Sequence, residues 1–459
     1  MKKSEKILII GGGLCGSLLA LRLAQRGYKV LVYEGRPDLR KTEISAGRSI
    51  NLALSNRGLK SLRLAGVEEK AREICIPMRG RLMHDIAGNT FESNYSGREG
   101  EYINSISRGD LNGILLTEAE KHENVHIHFQ MKCLSVDIEN KEATFESYDT
   151  KEQFVIKADV IFGTDGAGSL LRKSYEQQLD GFNVSQEFLT HGYKELEIPG
   201  VHGKHLISKD HLHIWPRGDY MLIALPNMDG SFTVTLFLSY SKGEFNFDNL
   251  TTKEKITEFF ERDFPDTLAL IPDVLKEFET NPTGKLGTVK CAPWTYKGNT
   301  LIMGDAAHAI VPFYGQGMNA SFEDVAELDA FIDAYSGDWE KIFFEFQKDR
   351  KKNADAIADL AIDNYYEMRD HVANPIFKEK RKIEMELEKT FPDLYSSKYS
   401  LVTFNEHLGY HEAMTRGRMQ DQILLKMIKT GVISETTPKE RILEEVKTRS
   451  EELGNLSDE

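Results

Sequence analysis

Ile7-Leu8-Ile9-Ile10-Gly11-Gly12-Gly13-Leu14-Cys15-Gly16-Ser17-Leu18-Leu19 is the stretch on which the fold turns. Its four leading apolar residues suit a short buried strand, and the glycines suit a tight turn. Leu18, Leu19, Leu21 and Leu23 suit a helix that ends at Gly27. Val30-Leu31-Val32-Tyr33 is then the next strand, so residues 5–34 read as one βαβ unit on a parallel sheet. Gly11-x-Gly13-x-x-Gly16 lies between strand and helix, and Glu34 ends the second strand. Glycines let the backbone approach a pyrophosphate, the helix N-terminus favours its charge, and an acid here can bind a ribose 2′-hydroxyl. A glycine turn can also do no more than pack a helix tightly on a strand. The strand, helix and acid together point instead to a dinucleotide. Glu34 suits an unphosphorylated ribose, which leaves FAD and NAD both open.

Outward from that stretch, composition narrows the choices. The chain has 459 residues, enough for two or three domains, with 28% charged and 40% apolar residues, an ordinary globular balance. A formal charge of −14 argues against nucleic acid, whose phosphates it would repel. Cys15, Cys75, Cys133 and Cys291 are far apart, so no metal site or disulfide framework can be read, and a reducing cytoplasm fits. The apolar run after the basic N-terminus is too short for a signal peptide, and no run of about 18 apolar residues could span a membrane. A cytoplasmic location is expected.

Two textures alternate along the chain. The parallel-sheet pattern occupies 1–75, 101–182 and 283–345, including a helix expected at 110–122. Short polar–apolar alternations, broken by Gly88-Asn89 and Ser96-Gly97, mark 76–100, and strands dominate 183–282. Residues 346–459 read as a helical region with a charged, frayed end over the last twenty residues. The expectation is an α/β fold: a Rossmann-like dinucleotide domain interleaved with a mostly antiparallel β-sheet domain, plus C-terminal helices.

Two further motifs separate FAD from NAD. Asp165-Gly166 ends a strand of the same sheet. Leu301-Ile302-Met303-Gly304-Asp305-Ala306-Ala307-His308 is followed by Pro312-Phe313-Tyr314-Gly315-Gln316-Gly317-Met318-Asn319. Asp305 at a strand end is placed to hydrogen-bond a ribityl hydroxyl. A helix opening near Asn319 can turn its positive end to the flavin pyrimidine, stabilising the anionic reduced form. The three motifs together resemble the FAD fingerprint of the single-component aromatic hydroxylases.

Within that group, Gly47-Arg48-Ser49-Ile50-Asn51-Leu52-Ala53-Leu54-Ser55 and Ile76-Pro77-Met78-Arg79-Gly80-Arg81 resemble the kynurenine 3-monooxygenases. So do His213-Ile214-Trp215-Pro216-Arg217, Ile223-Ala224-Leu225-Pro226-Asn227-Met228 and Tyr366-Glu367-Met368-Arg369. The resemblance runs from residue 7 to about 415. It departs at the end, where eukaryotic members carry a membrane anchor that this sequence does not show.

What the resemblance implies is specific. Arg81 would pair with a substrate α-carboxylate, assisted by Tyr95, Asn364 and Tyr399, with Phe313 on the substrate side of the flavin. A planar guanidinium can grip a carboxylate bidentately. Asn364 has separate support, because Ile357, Leu360, Ala361, Asn364 and Met368 form one helical stripe that turns it inward. FAD contacts would fall on Gly11, Gly13, Leu14, Cys15, Gly16, Glu34, Arg36, Ala53, Asp165, Asp305, Gly315, Gly317, Met318 and Asn319. Arg48 and Arg108 would meet its phosphates or ribityl chain. His308 beside the flavin loop is better read as structural than as a base.

The implied activity is hydroxylation of L-kynurenine to 3-hydroxy-L-kynurenine with NADPH and O2, through a flavin C4a-hydroperoxide. NADPH would dock transiently, since no second Gly-x-Gly-x-x-Gly occurs. No catalytic side chain is obligatory, because the substrate's aniline nitrogen activates its own ring. The protein would act as a monomer or homodimer. The main alternative is the same chemistry on another aromatic carboxylate. A halogenase would need a Trp-x-Trp-x-Ile pattern that the three tryptophans lack, and a non-catalytic carrier is opposed by the complete FAD motif set.

Overall fold

The computed structural model describes residues 5–41, 51–368 and 374–457. The chain divides into two compact units, the first Met1–Ile76, Ser105–Leu189 and Thr283–Ala361, the second Pro77–Asn104, Thr190–Pro282 and Ile362–Glu459.

The first unit is built on a sheet in the order Thr295–Tyr296, Thr300–Ile302, Val160–Gly163, Lys6–Ile10, Lys29–Tyr33, Val125–His128. All pairings are parallel except that of the short edge strand Thr295–Tyr296. Ile7, Leu8, Ile9 and Val160–Phe162 are buried, as befits strands covered on both faces. The helix Leu14–Gln25 follows the glycine turn, and Gly27 leaves it in the left-handed region (φ +85°). The expected helix at 110–122 begins earlier, at Arg108–Glu120, because Ser107 caps it by accepting the Asp110 N–H. The helix expected from Asn319 begins at Gly317 and runs to Tyr335.

Strands of the second unit follow the order Asn183–Ile198, Phe232–Ser239, Met221–Pro226, His211–Pro216, Gly80–His84, Thr90–Asn94. The pairings are antiparallel except that of His211–Pro216 with Gly80–His84. Helices Lys253–Asp263 and Val274–Thr280 supply Phe259, Phe260 and Phe278 to a core shared with Trp215, Leu222 and Leu236.

The C-terminal helices differ from the expected separate region. Phe346 and Ala354 belong to the core of the first unit, so the helix Trp339–Tyr366 starts there, and residues from Ile362 on cluster with the second unit. Helices Pro375–Thr390, Tyr410–Lys429 and Lys439–Ser457 share a core of Ile383, Leu387, Leu424 and Ile442. The first half of the last of them packs despite its charge, with Ile442, Leu443 and Val446 buried on one side. Among the described residues, no helix is long and apolar enough to cross a membrane.

Candidate active site

In the first unit the glycine loop is shaped by backbone contact. Gly11 has φ +98°, and a Cβ on Gly16 would lie 2.0 Å from the Gly11 carbonyl oxygen. Thr164 and Asn112 hold the loop from outside. The Thr164 hydroxyl donates to the Gly11 carbonyl (2.7 Å), and the Asn112 amide donates to the Gly12 carbonyl (3.1 Å) and the Ser17 hydroxyl (3.0 Å). Leu14 and Cys15 open the following helix and are buried. Burial, reinforced by Asp324 and Asp305, raises the Cys15 thiol well above its usual pKa, so it stays protonated and inert.

Glu34 accepts the Gly12 N–H at 2.7 Å and the Arg36 side chain at 2.9 Å. Burial works to raise its pKa, but the hydrogen bonds and charge of Arg36 and the Gly12 N–H outweigh it, leaving a lowered pKa. Arg36 also reaches over the loop, 3.6 Å from where a Gly13 Cβ would sit. A ribose hydroxyl could still donate to this fixed carboxylate.

The third motif closes on the first. Gly304 (φ +57°) packs against Cys15, with 3.2 Å between its virtual Cβ and the Cys15 sulfur. Asp305 is therefore beside the start of helix Leu14–Gln25, and its side chain is exposed among buried neighbours. Gly315 (φ +68°) lies against Ala53, and the helix Gly317–Tyr335 starts with no side-chain cap, so the backbone around Gly317, Met318 and Asn319 presents a positive end. The side chain of Asn319 serves the scaffold instead: it donates to the carbonyls of Ala53 (2.8 Å) and Gly315 (2.9 Å) and accepts the Ser55 N–H. Phe313 is buried in the turn Pro312–Tyr314. Asp165 spends one oxygen on the Leu170 N–H (2.6 Å), while burial raises its pKa and its other oxygen has no hydrogen-bond partner among the described residues. Arg108 is exposed at the start of its helix, and Arg48 lies outside the described residues.

A buried ionic chain supports these motifs. Arg57 meets Glu323 (2.7 Å), Glu323 meets Arg350 (2.6 Å), and Arg350 meets Asp324 (2.9 Å). Asp324 accepts the Gly304 N–H (2.9 Å) and sits 2.6 Å from His308 Nε2. His308 is thus committed to holding the loop. Asn112, Thr164, Asp324 and Arg350 escaped the sequence reading. Asn112 and Asp324 had left a signal there, each a polar residue on the apolar face of its helix.

The glycine approach, the fixed Glu34, the projecting Asp305 and the uncapped helix together fit FAD: a pyrophosphate at the first turn, a ribose at Glu34 and a flavin by Gly315–Asn319.

In the second unit, Arg81 and Tyr95 of one hairpin come together with Tyr399, about 300 residues further along the sequence. The Arg81 guanidinium carbon is 5.5 Å from the Tyr95 ring centroid and 5.0 Å from that of Tyr399, and the two rings stack 5.4 Å apart at 12°. Burial raises both phenol pKa values, so both hydroxyls stay protonated. The Tyr95 hydroxyl has no hydrogen bond of good geometry among the described residues. A fixed cation with two neutral hydroxyls is a set for an anion. Asn364 is buried and donates to the Met368 sulfur (3.4 Å), and Met368 lines a cleft with Tyr220, Met221, Phe237 and Tyr365.

Residues 4–359 match the family model described as FAD binding domain. The chain is 44% identical over 448 residues to kynurenine 3-monooxygenase of Myxococcus xanthus, covering 97% of this chain and 96% of that one. It is 45% identical over 440 residues to kynurenine 3-monooxygenase of Dictyostelium discoideum, covering 93% and 94%. Among solved structures, a 2-methyl-3-hydroxypyridine-5-carboxylic acid oxygenase superposes with TM-score 0.65 at 20% identity, covering 84% of this chain and 98% of that one, which speaks to fold alone. With the motifs, the cradle they build and relatives alike over nearly the whole length, the chain belongs to the FAD-binding-domain family and, within it, to the kynurenine 3-monooxygenase family.

Proposed function

We infer that this protein is an FAD-dependent monooxygenase that hydroxylates L-kynurenine to 3-hydroxy-L-kynurenine with NADPH and O2. The observation that carries this is the near full-length similarity to proteins of that name. FAD, when bound, would supply the redox chemistry that couples NADPH to O2. The chain's own residues have other tasks. Gly11, Gly13 and Gly16 would hold the pyrophosphate, Glu34 a ribose, Asp305 the ribityl chain, and the start of helix Gly317–Tyr335 the pyrimidine edge.

Arg81, with the hydroxyls of Tyr95 and Tyr399, would hold the substrate carboxylate, and Asn364 would assist at the head group. Truncating such a charged anchor removes both binding and orientation. The aniline nitrogen of the substrate donates electron density to the ring carbon ortho to it, so no side chain needs to act as base. His308, bound to Asp324, agrees with that division of labour.

Anaerobic stopped-flow reduction of the bound flavin by NADPH, with and without L-kynurenine, tests this. Strong acceleration by kynurenine, then 3-hydroxykynurenine on admitting air, is the expected result. A flavin whose reduction ignores kynurenine would keep the chemistry and overturn the substrate.

A further inference from the structure

Tyr95 and Tyr399 reach Arg81 from segments about 300 residues apart, so something must set their spacing. The helix Pro375–Thr390 does so through one side chain. Glu388 is fully buried, at 0% exposure. One of its carboxylate oxygens accepts the Ser397 N–H at 2.8 Å; the other accepts the Gly97 N–H at 2.9 Å and the Ser96 hydroxyl at 3.2 Å. Ser397 caps the short helix that carries Tyr399, and Ser96 directly follows Tyr95.

Two further contacts tie the same helix to the Tyr95 segment. Arg381 donates to the backbone carbonyls of Asn94 (2.8 Å) and Tyr95 (2.7 Å). At Gly97 backbone meets backbone, since a Cβ there would lie 2.1 Å from the Met385 carbonyl oxygen. Arg98 balances the buried charge, its guanidinium 3.6 Å from Glu388. Burial alone would raise the Glu388 pKa, yet the hydrogen bonds it accepts keep it below the usual range, so the bridge is a carboxylate.

We propose that Glu388 is a positioning residue for substrate recognition: it bridges the Tyr95 and Tyr399 segments and so sets the aromatic pair against Arg81. The proposal rests on the reading that these three residues hold the substrate carboxylate. Glu388 touches no substrate itself. Its replacement by Gln keeps one acceptor oxygen and breaks one side of the bridge, and a shift of about 1 Å at a positioning group is costly.

The test uses purified holoprotein and two ligands, L-kynurenine and its decarboxylated analogue, which has the same aryl ketone and amine but no carboxylate. Glu388→Gln is expected to raise Kd and KM for L-kynurenine roughly tenfold, the loss of one charge-assisted hydrogen bond. It should leave kcat, FAD content and the affinity of the analogue little changed. Ser96→Ala should act in the same direction more weakly. Should Glu388→Gln fail to fold, Ser96→Ala carries the same expectation at smaller size.

A folded Glu388→Gln protein that prefers L-kynurenine over the analogue as strongly as the wild type overturns the proposal. So does an equal loss of affinity for both ligands. Arg81→Met separates the two levels. If wild type and Arg81→Met both treat the ligands alike, the carboxylate reading itself is wrong. If Arg81→Met abolishes the preference while Glu388→Gln retains it, only the role of Glu388 fails.

Discussion

The two units build their sites from different materials. The first uses backbone: glycines without Cβ atoms, N–H groups and a helix end, with side chains such as Asn319 and Asn112 turned back to brace the loops. The second uses side chains, a guanidinium and a phenol from one hairpin joined by a phenol from a distant helix. A site made of backbone can be destroyed by adding one carbon. A site made of side chains can be tuned by removing a few atoms while its fold persists.

The largest effect should come from Gly16→Val, whose Cβ would collide with the Gly11 carbonyl at 2.0 Å and the Thr164 hydroxyl at 2.5 Å. FAD should be lost, read as flavin absorbance per chain after gel filtration, and FAD retained at wild-type stoichiometry would break the comparison on that side. Next, Asp324→Ala removes the buried partner of His308 and one of the two buried carboxylates on Arg350, and should cost about 3–5 kcal/mol in urea unfolding. Arg81→Ala should weaken L-kynurenine by about 2–4 kcal/mol, roughly thirty- to a thousandfold in Kd, with FAD content unchanged. Loss of FAD with that variant would show that the two units do not divide the work in this way.

The smallest effect concerns pH, and it sharpens the contrast between the buried ionic clusters. In the first unit, burial opposes ionisation of Glu323 and Asp324, but Arg350 with Arg57 for one and His308 with Arg350 for the other win, and both pKa values are lowered. Their contribution is present at neutral pH and is lost as pH falls through those lowered values.

In the second unit, burial raises Glu384 to about 7; Asp421 and Glu367 reinforce the rise, while Lys380 and Arg381 oppose it. There the folded state holds its proton more tightly than the unfolded chain does. This stabilisation is full below the ordinary carboxylate pKa and disappears as pH rises through about 7. Glu384→Gln should therefore raise Tm relative to wild type more at about pH 8 than at about pH 5. An equal difference at both would show that Glu384 is not titrating between them.

The same contrast explains what could be read in the sequence. The dinucleotide cradle was legible because strand, glycines, helix and acid are contiguous, and each residue's job follows from its place in a local pattern. Asp305 and Gly315–Asn319 were legible for the same reason, although the Asn319 side chain proved to be a staple. Arg81, Tyr95 and Tyr399 share no local pattern, and only family resemblance joined them before the fold did. Glu388 left a fainter sign: Lys380, Ile383, Glu384, Leu387 and Glu388 form one buried stripe, so three charged residues sit where apolar ones belong. The packing of the final helix was hidden behind its charge, which lies on the opposite side from Ile442, Leu443 and Val446.

The interleaving of the two units sets an order of events during synthesis. Strand Lys6–Ile10 is among the first parts of the chain to leave the ribosome, yet its neighbour Val160–Gly163 comes much later, and Thr300–Ile302 completes that side of the sheet later still. At about 5–20 residues per second, the apolar first strand waits roughly 15–60 s for the last of these to be made. The local hairpin of Gly80–His84 and Thr90–Asn94 must likewise wait for His211–Pro216 before its other edge is paired. A nascent chain of this design spends most of its birth with unpaired hydrophobic edges, so its yield in a cell should depend on chaperones that cover them and on the pace of translation.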